Sequence, residues 1–305
     1  VDLGLAGHLG RALEGIMRPL FNVPGACAPA LALGFVGGYP VGARTALQLY
    51  QKGMCTKTEA ERLLAFCNNS GPAFILGVVG AGVFASSKVG VLLYLAHAAA
   101  SVCVGLVFRF YKAGKRRGEP RRVGPRFEAA RFTAAFTGAI RDSFLSTLNI
   151  CAFVVFFTVV IRLFFLSGVL PGLAGLLGRL LGPLGFSRAW AERLLTGVLE
   201  VSSGVSSLTG GALSGRLSMA AFMLGWAGLS VHCQVLAFLG DSGLSMGTYL
   251  WGKLLHGLFS AALLGLLTAL FDVSITPALL SLAAMLLFRF LAIRALRREA
   301  REAGE

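Results

Sequence analysis

Residues 60–84 read AERLLAFCNNSGPAFILGVVGAGVF. The stretch is long and apolar enough to cross a bilayer, yet its middle holds Asn68, Asn69, Ser70, Gly71 and Pro72. Proline removes a backbone donor and clashes with the preceding turn, so a continuous helix cannot pass through it unperturbed. Away from water, backbone can leave helical geometry only where it is buried in protein or lines a polar cavity. The reading is therefore a transmembrane helix opened in its middle, with Asn68, Asn69 and Ser70 lining the opening.

The composition agrees with a membrane setting. The chain has 305 residues, of which 56% are hydrophobic and 14% charged; soluble domains carry about 25% charged residues. Mean hydropathy is +0.75. The net charge of +14 is gathered into YKAGKRRGEPRRVGPR (111–126) and the tail holding Arg289, Arg294, Arg297, Arg298 and Arg301. Such clusters flanking apolar spans mark cytoplasmic segments. They lack the interleaved aromatics of a nucleic-acid surface, so no nucleic-acid partner is expected. The six cysteines show no CxxC spacing, which argues against a zinc site or a disulfide framework. No nucleophile–base–orienter set and no phosphate loop emerges, so the chain reads as no enzyme, with no catalytic residue, metal or cofactor.

A spanning helix needs about 20 apolar residues. Uninterrupted candidates cover 88–111, 143–168, 246–271 and 274–294. A second interrupted span, 216–240, breaks at GLSVHCQ (228–234). Two Gly-rich segments, 26–51 and 190–214, are too short to cross and read as re-entrant hairpins. The first 25 residues are amphipathic and too polar to span, and the abrupt start suggests an upstream helix outside this sequence. Placing 112–126 in the cytoplasm makes every later span alternate, and it returns the C-terminal tail to the cytoplasm.

The two halves then share one order, hairpin, broken helix, intact helix, and face opposite ways. Gly34 to Asn68 and Gly197 to Ser230 are nearly equal intervals, and His97 and His256 open similar apolar runs. Inverted repeats with interrupted helices point to a secondary transporter with a midplane site. In the first half the candidate substrate residues are Gly38, Tyr39, Pro40 and Arg44 at the hairpin tip, and Asn68, Asn69 and Ser70 at the break. Pro40 suits the first turn of a half-helix, whose free N–H groups favour an anion. Arg44 is either a substrate cation or an interfacial anchor. In the second half they are Ser202, Ser203, Ser230, His232 and Gln234. Glu200, the one acid at the second tip, and His232 are candidates for coupling to H+ or Na+, with a structural Arg partner as the alternative for Glu200. His97 and His256 lie in intact helices, where packing or interhelical bonds are their expected role.

GFVGGYPVGARTALQLYQKG (34–53), TEAERLLAFCNNSGPAFILGVVGAGVF (58–84) and LLTGVLEVSSG (194–204) resemble the YlbJ (SpoVV) family of sporulation integral membrane proteins, in the nucleoside-recognition Gate-domain group. The resemblance spans nearly the whole chain. It implies an all-α polytopic membrane protein related to the concentrative nucleoside transporter fold. The halves become a first Gate-type repeat (1–111), a basic cytoplasmic linker with an amphipathic segment (112–142), a second, inverted repeat (143–271), and a final transmembrane helix with a basic tail (272–305). It also implies movement of dipicolinic acid across the cell membrane or a membrane around the developing spore. A nucleoside or nucleobase carrier and a non-transporting sporulation scaffold are the alternatives. The sequence leaves the oligomeric state open.

Overall fold

The computed structural model describes residues 5–113 and 132–271, all helices and connections, with no strand among them. The final span at 274–294, the basic tail and most of the basic linker lie outside these residues. Contacts divide the chain into a unit Val1–Leu264 and a second unit, Gly265–Glu305; the site belongs to the first.

The described residues begin with α1, Leu5–Phe21. A 3-10 turn at Gly25–Cys27 leads into α2, Ala28–Gly37, and the path bends by 96° there. Helix α3, Val41–Gln51, returns after a tip in which Gly38 has φ +76°. Gly34 and Gly42 show why this hairpin is glycine-rich. A Cβ on either would lie within 1.8 or 2.0 Å of the Cys67 carbonyl oxygen, so the interruption is wedged between the two arms.

The interrupted helix starts as α4, Lys57–Leu64, closed by a capping box between Thr56 and Glu59. From residue 65 to residue 71 the chain leaves regular helix, and Ala73–Val83 then winds as a wide π-helix. Helix α5, Ser87–Phe108, is uninterrupted and capped by Ser86.

The second half repeats the order. Helix α6, Phe132–Leu166, leads through Gly168 into α7, Val169–Leu181. Helix α8, Arg188–Leu199, and the short α9, Val201–Ser206, form the second hairpin, with extended Glu200 as its tip. Helices α10, Leu213–Trp226, and α11, Gly228–Leu239, make the second broken helix, and α12, Met246–Phe271, is the intact one.

Four expectations need correction. The second break lies at Ala227 and Gly228, both at positive φ (79° and 84°), and the residues of GLSVHCQ continue as helix α11. The sequence signal there was polarity, whereas the geometry follows the left-handed residues. The span placed at 143–168 is longer: α6 starts at Phe132, inside the stretch read as linker. Helix α7 was not anticipated, because its 13 residues are too few to cross. The N-terminal stretch read as too polar to span forms, together with α2, a bent helix pair that is apolar enough to count as one span. Four described segments are long and apolar enough to cross a membrane, one of them the broken pair α10 and α11, or five if the bent N-terminal pair is one span.

Candidate functional site

Each hairpin tip packs on the break of its own half. Gly38 faces Gly71, where added Cβ atoms would lie 3.1–3.4 Å from the opposing backbone. Gly228 stands equally close to Glu200 and Val201, with a Cβ 3.0 Å from the Val201 nitrogen. The two tip-and-break pairs meet at one cavity of about 250 Å³. Gly38, Tyr39 and Ser70 line it from the first half, and Glu200, Ser202, Ser230 and Gln234 from the second. Ile150 and Val154 of α6 close one side.

Polar atoms in this wall are short of partners. Ser70 Oγ, Ser230 Oγ and Gln234 Oε1 are buried and find no hydrogen-bond partner among the described residues. Buried polar groups ordinarily have one. Ser230 and Gln234 lie one helical turn apart and so share a face of α11. His232 lies about 200° round the helix from Ser230. Its Nδ1 is 3.1 Å from the Tyr249 hydroxyl and its ring packs edge-on against Trp226.

The asparagines work behind the wall. Asn68 Nδ2 donates to the Tyr249 hydroxyl at 3.3 Å, and Asn69 Nδ2 turns back to the Phe66 carbonyl at 3.1 Å. Both side chains are fully buried and neither lines the cavity; of the triplet, only Ser70 does. An unwound segment strands backbone groups that need partners, and here Asn69 serves its own turn while Asn68 reaches α12.

Glu200 is almost fully buried and accepts from the backbone N–H of Ser202 and Ser203 at 2.8 and 2.7 Å. It therefore caps α9, and no ion pair with Arg is found among the described residues. Ser203 contributes that N–H, while Ser202 also lines the cavity. Pro40 and Arg44 stand in an adjoining cavity of about 200 Å³, with Ser146 and Asn149 of α6; Ile150 and Gln234 belong to both cavities. Arg44 Nη1 reaches Ser146 Oγ at 3.4 Å.

Lys253 was missed. It is fully buried in α12, with Nζ 2.8 Å from the Asn68 carbonyl, 3.0 Å from His256 Nδ1 and 5.1 Å from the Tyr39 ring centre. A charge inside a span is rare and marks a functional position by default, so YLWGKLLHG (249–257) did carry the signal. Asn149, a polar residue in the apolar run of α6, was passed over in the same way. His97 and His256 do make interhelical bonds: His256 Nε2 meets the His97 carbonyl at 2.9 Å, and His97 Nε2 accepts the Ser70 N–H at 3.0 Å.

These features define a polytopic helical membrane protein with two hairpin-and-broken-helix halves around a central cavity. No family model matches the sequence. The chain is 29% identical over 285 residues to "Sporulation integral membrane protein YlbJ" of Bacillus subtilis (strain 168), covering 88% of this chain and 70% of that protein. The relationship supports the YlbJ family, and the chain is a homologue of that sporulation membrane protein. It also shows a likeness to the solved "Structure of CNTnw in an inward-facing substrate-bound state", with 15% identity and a TM-score of 0.48, over 87% of this chain and 70% of that one.

Proposed function

We propose that the chain is a secondary transporter for a small organic anion, with dipicolinate in the sporulating cell as the solute implied by the family resemblance. The observation carrying this reading is the cavity where both tips and both breaks meet, walled by unpartnered Ser70, Ser230 and Gln234. Its size lies just below the usual range of about 300–1,000 Å³ for ligand sites and suits a small solute. Arg44 in the adjoining cavity and Lys253 behind Tyr39 supply positive charge on two approaches. Such a cavity weighs against a purely structural role. The membrane would be the cell membrane or one surrounding the forespore, with the C-terminus in the cytoplasm.

The test is uptake by liposomes holding the purified chain. Dipicolinate should enter, and the double variant Ser230→Ala with Gln234→Leu should cut the rate at least tenfold by removing two of the three unpartnered polar groups. Arg44→Ala should weaken uptake most at low salt, where screening is least. Absence of dipicolinate uptake by the wild-type protein would sink the proposal.

One observation favours a second reading. Glu200 lines the cavity amid neutral hydroxyl and amide groups, an arrangement suited to a nucleoside or nucleobase coupled to H+ or Na+. Thermal stabilisation by nucleosides but not by aromatic dicarboxylates would select it.

A further inference from the structure

Lys253 has no use in the cavity wall itself, yet its surroundings are specific. No Asp or Glu lies within ion-pair distance of it among the described residues. Its three acceptors are the Asn68 carbonyl, His256 Nδ1 and the face of the Tyr39 ring. The tautomers follow from the partners. The Ser70 N–H can only donate, so His97 Nε2 is bare; the His97 carbonyl can only accept, so His256 Nε2 carries a hydrogen. A neutral His256 then offers a bare Nδ1 to Lys253. The other titratable groups around it are Tyr249 of its own helix, His97 of α5, Tyr39 of the first tip, Cys67 of the first break and His232 of α11.

This pocket accepts either form of the side chain. An ammonium directs three N–H bonds at a carbonyl, an imidazole nitrogen and a π face; an amine satisfies the first two with its two hydrogens. Which form prevails then depends on charge placed nearby. Tyr39 is the partition: Lys253 lies against its ring, and the same residue lines the cavity. An anion in the cavity stabilises the ammonium relative to the amine, and by reciprocity the proton tightens anion binding.

We propose that Lys253 is the proton-coupling group, taking one proton from water on its nitrogen lone pair as an organic anion enters the cavity and returning it to water on release. The chain then moves anion and proton together. This inference rests on the anion reading above, and it assigns coupling to Lys253 in place of Glu200 or His232.

The test is calorimetric titration of the purified full chain with dipicolinate at pH 7, in two buffers of different ionisation enthalpy. The wild-type protein should take up about one proton per anion bound. Lys253→Met should take up none and bind about tenfold more weakly, a typical size for coupling between two ligands. Lys253→Arg, charged at every accessible pH, should bind the anion with no proton uptake, a result that loss of folding cannot mimic. His232→Gln, outside the cavity wall, should keep the one-proton signature. Wild-type binding without proton uptake, or uptake surviving in Lys253→Met, overturns this inference and leaves the anion reading standing. No wild-type binding of dipicolinate overturns both.

Discussion

Arg62 and Arg193 occur in the same pentapeptide, AERLL, at 60–64 and 191–195, and their fates differ. Arg62 is buried and clamps two chain segments, donating to the Tyr111 carbonyl through Nε and Nη2 and to the Asn22 carbonyl through Nη1. Arg193 is half-buried, stacks on Trp190 and bonds the Thr209 and Gly210 carbonyls of its own hairpin. Local sequence is blind to this, because the partners lie 40 and 49 residues away for Arg62. Only the fork of a guanidinium spans both carbonyls. Arg62→Lys should therefore lower stability by about 1–3 kcal/mol, the cost of a buried acceptor left unpaired, read as a drop in Tm. Gly34 makes a second prediction. Its added methyl would collide with the Cys67 carbonyl, whereas a Cβ on Gly77 meets nothing within 4 Å. Gly34→Ala should cost roughly 1–3 kcal/mol, as overpacking does, with Gly77→Ala as a near-neutral control in the same denaturation series.

The helical elements differ in how openly their sequences announce them. The first interruption was legible because Gly71 and Pro72 break a helix whatever surrounds them. The second was legible in existence but not in place. Its hinge is Ala227–Gly228, and alanine gives no hint of a left-handed backbone; Ser230, His232 and Gln234 drew attention because they are polar. Their spacing held more information than their polarity. Positions 230 and 234 share a face and reach the cavity, while 232 points away to Tyr249 and Trp226. An L-residue held at φ +79° is strained by about 1–2 kcal/mol. Ala227→Gly should hence be tolerated or slightly stabilising. Gly228→Ala, at φ +84° and 3.0 Å from the Val201 nitrogen, should destabilise and loosen the second tip. Comparing the two Tm values, and uptake by each, checks that the hinge rather than the polar run shapes this half.

At the scale of the molecule, the two halves are tied together by contacts that no periodicity reveals. The Tyr39 hydroxyl donates to the Leu224 carbonyl of α10, Lys253 of α12 holds the Asn68 carbonyl, and Gly252 of α12 packs on Ala65. The sequence suggests Asn68 and Asn69 as solute contacts, because polar groups in a span need a purpose. Their Nδ2 groups bond Tyr249 and Phe66 and so hold the opened segment in place, while both Oδ1 atoms are buried without a partner among the described residues. Tyr39→Phe removes one tie between halves and should cost about 1 kcal/mol with the cavity wall otherwise intact. It should slow dipicolinate uptake less than the double Ser230→Ala, Gln234→Leu variant does, in the same liposomes.

Helix α6 touches the rest of the protein along one stripe, with Ser146, Ile150, Phe153, Val154, Phe157 and Ile161 partly or fully covered and the flanking Phe144, Leu148, Val155, Phe156 and Val159 exposed. Its 35 residues make a rod about 50 Å long, against a hydrocarbon thickness of about 30 Å. A rod whose apolar stretch outspans the hydrocarbon leans, and the lean varies with the hydrocarbon's thickness. Because Ile150 and Val154 close one side of the cavity, acyl-chain length becomes a setting on the cavity's shape. Uptake measured in short-chain and long-chain liposomes should differ, making the choice of lipid a control on turnover independent of any substitution in the protein.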